Sequence, residues 1–273
     1  GYRWSPALRA IRQLIDRGEL GEIRSIRASF LLDYGADPDV PLTWRFRREM
    51  AGGGIAIDTG YHLVDTARFL VGEIATVQAI QRTFVTKRRI PAADAIGNRG
   101  EGGDAGRADA MGQVDVEDAV AALLEFEGGA YGVLETNRAM IGKRVAMGIE
   151  VFGSRGSADW DLEHPDEFRV ALPGDLATFG YRRVMVNPAH PGASELLVAG
   201  ADGTGIGWLG FEVAMWAEFL TAITEDRGAH ADFADGVVDN AVIDALYASA
   251  ASGNRTPVVL PAGVVPSQNG GGS

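Results

Sequence analysis

The sequence contains no cysteine. Disulfides, thiolate nucleophiles and Cys-ligated zinc are therefore excluded. A cysteine-free chain is compatible with a cytoplasmic location, which is the expectation. No apolar run approaches the roughly 20 residues that a membrane helix needs, and no signal peptide is visible. Basic residues are outnumbered 25 to 37, for a net charge of −12. That balance argues against nucleic acid, whose phosphates need a basic surface, and against an anionic membrane. Histidine is scarce as well, at four residues.

What is present is ordinary globular usage: 273 residues, 46% hydrophobic and 23% charged. A chain of this length buries a sizeable core. Residues 1–261 read as one domain. Residues 262–273 end in Gln268-Asn269-Gly270-Gly271-Gly272-Ser273, which has the composition of a flexible tail or linker. The chain begins at Gly1 and an amphipathic helix follows almost at once, so it reads as the middle of a longer protein.

Ser5-Pro6 ahead of Leu8, Ile11, Leu14 and Ile15 is a helix start, and Gly18 is its stop. Residues 22–32 switch to a period of two, with Ile26, Ala28, Phe30 and Leu32 on one face. Residues 33–53 form a loop holding Trp44 and Phe46, and a helix is expected from Ile55 to Val71. Strands are expected at 75–85, 116–126, 130–138, 144–153, 157–162, 167–172 and 182–187. Residues 87–114 show little periodicity. Helices are expected at 209–226 and 235–252, with a last short strand near 256–260. Consecutive strands joined by short turns imply an antiparallel sheet. The fold class predicted is α+β: two layers, an open, mainly antiparallel sheet with helices on one face. Apolar residues on both faces of 116–126 and 130–138 imply that the other face is covered, by another subunit.

The chemistry concentrates in Gly52-Gly53-Gly54-Ile55-Ala56-Ile57-Asp58-Thr59-Gly60-Tyr61-His62. Asp58 and His62 stand four apart, which puts them on one helix face. A carboxylate beside an imidazole holds its tautomer and raises its pKa, as suits a general base near neutral pH. Gly60 between them leaves room for close approach. The same spacing also serves ordinary local helix contacts. Gly52 to Gly54 are not a dinucleotide fingerprint, which needs G-x-G-x-x-G after a strand and an acidic residue about 20 residues on. A metal site at Asp58 and His62 lacks a third ligand, so no metal is expected.

The run Ala51–Asp65 resembles the G-G-G-x-x-x-D-x-G-x-H-x-x-D signature of the Gfo/Idh/MocA oxidoreductase family. Gly1-Tyr2-Arg3-Trp4-Ser5-Pro6 resembles the family's N-Y-R-x-x-P segment between its two domains. Leu20-Gly21-Glu22-Ile23, Pro41-Leu42-Thr43-Trp44-Arg45-Phe46, Phe152-Gly153-Ser154-Arg155-Gly156-Ser157 and Phe233-Ala234-Asp235-Gly236 resemble further family segments in the right order. The likeness covers about residues 1–261 and is nearest to levoglucosan dehydrogenase-like and inositol dehydrogenase-like members. Leu32 departs from it, standing where levoglucosan-type members have a polar residue.

The resemblance implies the substrate-binding, catalytic and oligomerisation domain of a sugar or polyol dehydrogenase using NAD or NADP. The cofactor is then held mainly by a Rossmann domain that this chain does not contain. Asp58 and His62 would be catalytic, beside a lysine of that domain. Tyr2, Tyr34, Asp37, Trp44, Arg45 and His190 would contact the sugar, and Arg3 the cofactor. The implied partners are a small sugar or polyol and further copies of the chain, as a homodimer or homotetramer through the open sheet face. Two other readings stay open: a non-catalytic oligomerisation or sugar-binding module, and an NAD-using glycosidase of the same family.

Overall fold

Ser5 opens helix α1 (Pro6–Asp16): its hydroxyl accepts from the Leu8 amide at 3.4 Å, and Pro6 fills the first turn. Gly18, at φ +69°, turns the chain out of the helix in the conformation that glycine adopts at least cost. Ala7, Leu8, Ala10 and Ile11 form the buried face. A computed structural model describes residues 1–91, 110–197 and 203–264.

Strand β1 (Ile23–Leu31) follows, burying Ile26, Ala28 and Phe30 and exposing Arg27, as the period-two pattern predicts. After the loop come a short turn (Trp44–Phe46), helix α2 (Arg48–Ala51), a π-helical turn (Ala56–Gly60) and helix α3 (Tyr61–Val71). Strand β2 (Ile74–Arg82) precedes β3 (Lys87–Arg89) and β4 (Met111–Gln113). These last two pair as a small antiparallel sheet inside the stretch expected to be irregular. Residues 92–109, the rest of that stretch, lie outside the described residues. Strands β5 (Ala119–Phe126), β6 (Tyr131–Asn137), β7 (Ala146–Gly153), β8 (Ser157–Asp161), β9 (Glu167–Ala171) and β10 (Arg182–Met185) then follow in succession. Helices α4 (Gly207–Thr224) and α5 (Phe233–Ser252) and strand β11 (Thr256–Pro257) complete the order.

Nine strands make one sheet in the order β10-β9-β8-β7-β1-β6-β5-β2-β11. All its pairings are antiparallel except β1 with β6. The early strand β1 is inserted between two later ones, β7 and β6. Helix α1 covers β8 and β9, α3 covers β1, and α5 covers β2. The core lies between these layers and includes Leu8, Ile11, Phe30, Leu63, Leu134, Ile149, Trp160 and Leu246. The expected two-layer α+β architecture is the one observed. On the opposite face, Ile80, Leu123 and Tyr131 each expose more than half of their surface. No helix among the described residues is long and apolar enough to cross a membrane.

Candidate active site

The loop after β1 is shaped by buried cations. Arg88, on β3, donates to the carbonyls of Gly35, Asp37 and Val40 at 2.6 to 3.1 Å. Its guanidinium lies 4.1 Å from the centre of the Phe46 ring, and that of Arg138 lies 4.4 Å from the same ring. Phe46 is fully buried between them. Arg138 is in turn fixed by Asp118, which accepts from its Nε at 2.8 Å. The other Asp118 oxygen accepts the amides of Phe84 and Val85. Arg138 also donates to the Arg45 carbonyl at 3.1 Å, which ties the loop to the end of β6.

The glycine run is packed against Glu117. This carboxylate is 2% exposed and accepts the amides of Gly54 and Ala56 at 3.1 and 3.0 Å and the Tyr247 hydroxyl at 2.9 Å. It thereby caps the turn that leads into α3, where amide donors would otherwise lack partners. A Cβ on Gly54 would stand 2.1 Å from the Glu117 carbonyl oxygen, so only glycine fits there. Gly60 is different. A Cβ there would meet Ile243, Thr136 and Ala56 at ordinary distances of 3.6 to 3.7 Å, so Gly60 faces the interior and leaves no special room for a ligand.

Asp58 projects from the π-helical turn towards the loop. Its Oδ1 pairs with Arg45 Nη1 at 2.7 Å, and its Oδ2 accepts the Tyr34 hydroxyl at 3.0 Å. Arg45 lies over the Trp44 ring, 4.5 Å from its centre. Burial, followed by the Asp58 charge, pushes the Tyr34 phenol up to about 12, so it remains a donor. Trp44, Arg45, Gly53, Gly54, Asp58 and Arg138 line a cavity of about 180 Å³.

His62 corrects one expectation. Its imidazole makes no hydrogen bond to Asp58, because both carboxylate oxygens are taken up by Arg45 and Tyr34 and the π-helical turn changes the phase between the two positions. The side chain is exposed and does not line the cavity. Its ring lies against Tyr2 (5.1 Å between centres, 73° between planes) and Phe30 (6.0 Å). Its pKa is not raised: burial of the ring among these neighbours holds it below the usual histidine value.

Of the other residues singled out, Tyr34, Trp44 and Arg45 gather at Asp58, and Tyr2 stands beside His62. Asp37 is exposed and bonds within its own loop, to the Asp39 amide at 2.8 Å. His190 packs on Phe168 and accepts the Asn187 amide at 3.0 Å, neither of which joins it to the Asp58 cluster. Burial lowers its pKa also. Arg3 pairs with Asp65 at 2.6 Å and Asp235 at 3.3 Å. Glu117, Asp118, Arg88 and Arg138 escape the sequence reading, although the run Asp115-Val116-Glu117-Asp118 before a strand carries a signal: three acids at a sheet entry need donors.

A larger hollow, about 320 Å³, lies on the open sheet face. Four of its charges pair with each other, Arg169 with Asp159 at 2.7 Å and Arg27 with Glu150 at 3.9 Å, and Asp58 is not among the residues that line it. No group of three acids or histidines among the described residues is arranged to hold a metal. Among the described residues, one glycine-rich turn is a candidate for a dinucleotide and fits it poorly. Gly205-Ile206-Gly207-Trp208-Leu209-Gly210 has the glycine spacing of a phosphate-binding turn and opens α4. It follows a loop rather than a strand. The Asp166 carboxylate already accepts the amides of Ile206 and Gly207, at 2.6 and 3.1 Å, where a phosphate would sit.

Residues 8–159 match the family described as GFO/IDH/MocA C-terminal domain, and the chain belongs to that family. Levoglucosan dehydrogenase of Pseudarthrobacter phenanthrenivorans is 36% identical over 92% of this chain and 63% of its own length. Inositol 2-dehydrogenase of Rhizobium meliloti is 28% identical over 66% of this chain and 44% of its own length. The solved structure of levoglucosan dehydrogenase with NADH and L-sorbose superposes with a TM-score of 0.86 at 32% identity, over 95% of this chain and 65% of that one. The chain thus spans less than two thirds of the relatives it matches.

Proposed function

We propose that this chain is the substrate-binding half of an NAD(P)-dependent dehydrogenase that oxidises a secondary hydroxyl of a sugar or polyol. The observation that carries the reading is the Asp58 carboxylate, held on both oxygens at the mouth of a small cavity, with an exposed neutral imidazole four residues on. Relatives described as levoglucosan and inositol dehydrogenases support it. The cavity is smaller than the roughly 300–1,000 Å³ of pockets for drug-sized ligands, as suits a single sugar ring stacked on Trp44.

Such a reaction removes a proton from oxygen and a hydride from carbon. The nicotinamide, when bound, accepts the hydride. His62 takes the hydroxyl proton, which its lowered pKa permits at neutral pH. Arg45 holds Asp58 in place, and Asp58 then accepts a hydrogen bond from the sugar and orients it. A lysine from the nucleotide-binding domain shares the proton transfer. Tyr2 backs the imidazole and fixes its plane.

The test is NAD(P)H formation by the whole polypeptide of the gene with a panel of neutral sugars and polyols, repeated with His62→Ala and Asp58→Asn. The reading expects turnover and its loss in both variants. Unchanged rates in His62→Ala would remove the imidazole from the mechanism.

The exposed apolar residues of β2, β5 and β6 support a second element of the proposal, that copies of the chain associate through the open sheet face as a dimer or tetramer.

A further inference from the structure

Two residues grip Asp58, and both are attached to a third. Arg45 Nη1 holds one carboxylate oxygen at 2.7 Å, and the Tyr34 hydroxyl holds the other at 3.0 Å. Behind Arg45, its own carbonyl accepts a hydrogen bond from Arg138 Nη1 at 3.1 Å. Behind Tyr34, the next residue, Gly35, donates its amide to the Arg138 carbonyl at 2.7 Å. Asp58, Arg45, Arg138 and the pair Tyr34-Gly35 therefore close a ring. A Cβ on Gly35 would stand 2.7 Å from Arg138 Cγ and 2.9 Å from the Arg138 carbonyl oxygen, so the ring closes there only on glycine.

Arg138 follows β6 directly and is itself immobilised. It is 1% exposed, and Asp118, which accepts from its Nε at 2.8 Å, is fully buried. The other Asp118 oxygen is taken up by the amides of Phe84 and Val85, so the carboxylate is fixed as well. The Phe46 ring lies against the guanidinium at 4.4 Å. A buried ion pair adds little net stability over apolar packing of the same volume. What this pair supplies is direction. With Nε on Asp118, the planar guanidinium aims Nη1 at the Arg45 carbonyl, which an ammonium on a flexible stem does not do.

We propose that Arg138, aimed by Asp118, is a positioning residue that sets where Arg45 holds Asp58. The inference rests on the dehydrogenase reading and adds to it a residue that takes no part in proton transfer. Its two attachments are separable. The side chain acts on Arg45, and the backbone carbonyl acts on Gly35. Changing the side chain therefore loosens the Arg45 grip on Asp58 and leaves the Tyr34 grip in place.

The test uses the whole polypeptide of the gene. Arg138→Lys keeps a positive charge beside Asp118 but does not fork to the Arg45 carbonyl as well. Arg138→Gln with Asp118→Asn leaves no buried charge unpaired and repeats the test should the lysine variant fail to fold. In hydrogen exchange, the amides of Phe46 and Arg47, which donate to the Thr43 and Trp44 carbonyls, should exchange about tenfold faster. Those of Gly54 and Ala56, held by Glu117, should not change. In kinetics, the variant should lower kcat/KM by about tenfold or more in the parent and again in Tyr34→Phe. In Arg45→Ala it should cost less than about twofold, because the residue it acts through is gone. A variant that only lowers the folded fraction loses the same factor in all three backgrounds, and that pattern would overturn the proposal. Unchanged exchange at Phe46 and Arg47 would overturn it too. So would a raised KM that persists in Arg45→Ala, since Arg138 would then be a sugar ligand. If the exchange quickens as expected but the parent oxidises no sugar, the dehydrogenase reading falls and the hold of Arg138 on Arg45 stands.

Discussion

Arg45 and Asp58 meet at 2.7 Å, with the guanidinium lying on the Trp44 ring and the second carboxylate oxygen held by Tyr34. Arg45→Ala removes the partner that holds Asp58 in place, so kcat/KM should fall by about 100-fold, a loss typical of a misplaced reacting group. Arg45→Lys should recover only part of it, because an ammonium neither stacks nor forks. Tyr34→Phe, which removes one neutral donor, should cost about tenfold. Steady-state kinetics on the best sugar checks the order of the three.

The pH profile follows from His62. Burial lowers its pKa, so the proton-accepting form persists to lower pH than for a free imidazole. The acid limb of kcat/KM should have its midpoint below the ordinary value of about 6.5, and His62→Ala should abolish that limb. The same shift means that the folded state binds fewer protons than the unfolded chain. Stability should therefore fall as pH drops through about 6.5 and level off below the folded-state pKa. Denaturant melts across this window should show a smaller decline in His62→Ala.

The two glycines of the signature should behave oppositely. Gly54→Ala forces a Cβ to within 2.1 Å of a backbone oxygen and should destabilise by about 2–3 kcal/mol. Gly60→Ala meets only ordinary contacts and should be neutral or stabilising by up to about 1 kcal/mol. Urea unfolding of both variants decides it.

Glu117 is a matter of folding rather than chemistry. Glu117→Gln keeps the shape but removes a buried charge that accepts three hydrogen bonds, and should cost about 1.5–3 kcal/mol. Tyr247→Phe, which deletes one of the three, should cost about 1 kcal/mol. Thermal melts measure both.

Association through the open sheet face is checked by light scattering. Leu123→Glu with Val133→Glu places two charges at cross-strand neighbours on exposed positions. The doubly charged protein should have a smaller mass than the parent, with unchanged far-ultraviolet circular dichroism.

Much of the fold is legible because it depends on local pattern. Ile26, Ala28 and Phe30 alternate, Ser5-Pro6 caps, and each expected strand from 116 onward is present in the sheet. The small sheet at 87–89 and 111–113 is hidden because its strands are three residues long and polar. In the site, Tyr34, Trp44 and Arg45 come from the right segments. Arg88 and Arg138 do not declare themselves, since a buried arginine looks like a surface one until its carbonyl and carboxylate acceptors are brought together. The pairing of Asp58 with His62 fails for a subtler reason. Four residues complete nearly one turn of an α-helix, but the turn that holds Asp58 is π-helical.

That wider turn sets how the carboxylate is clocked against the imidazole. Each residue of an α-helix advances it by about 100°, so deleting Thr59 would swing Asp58 away from Arg45 while His62 kept its seat against Tyr2. The spacing of Asp58 and His62 is written in the winding of the backbone, which a change of side chains alone does not reset.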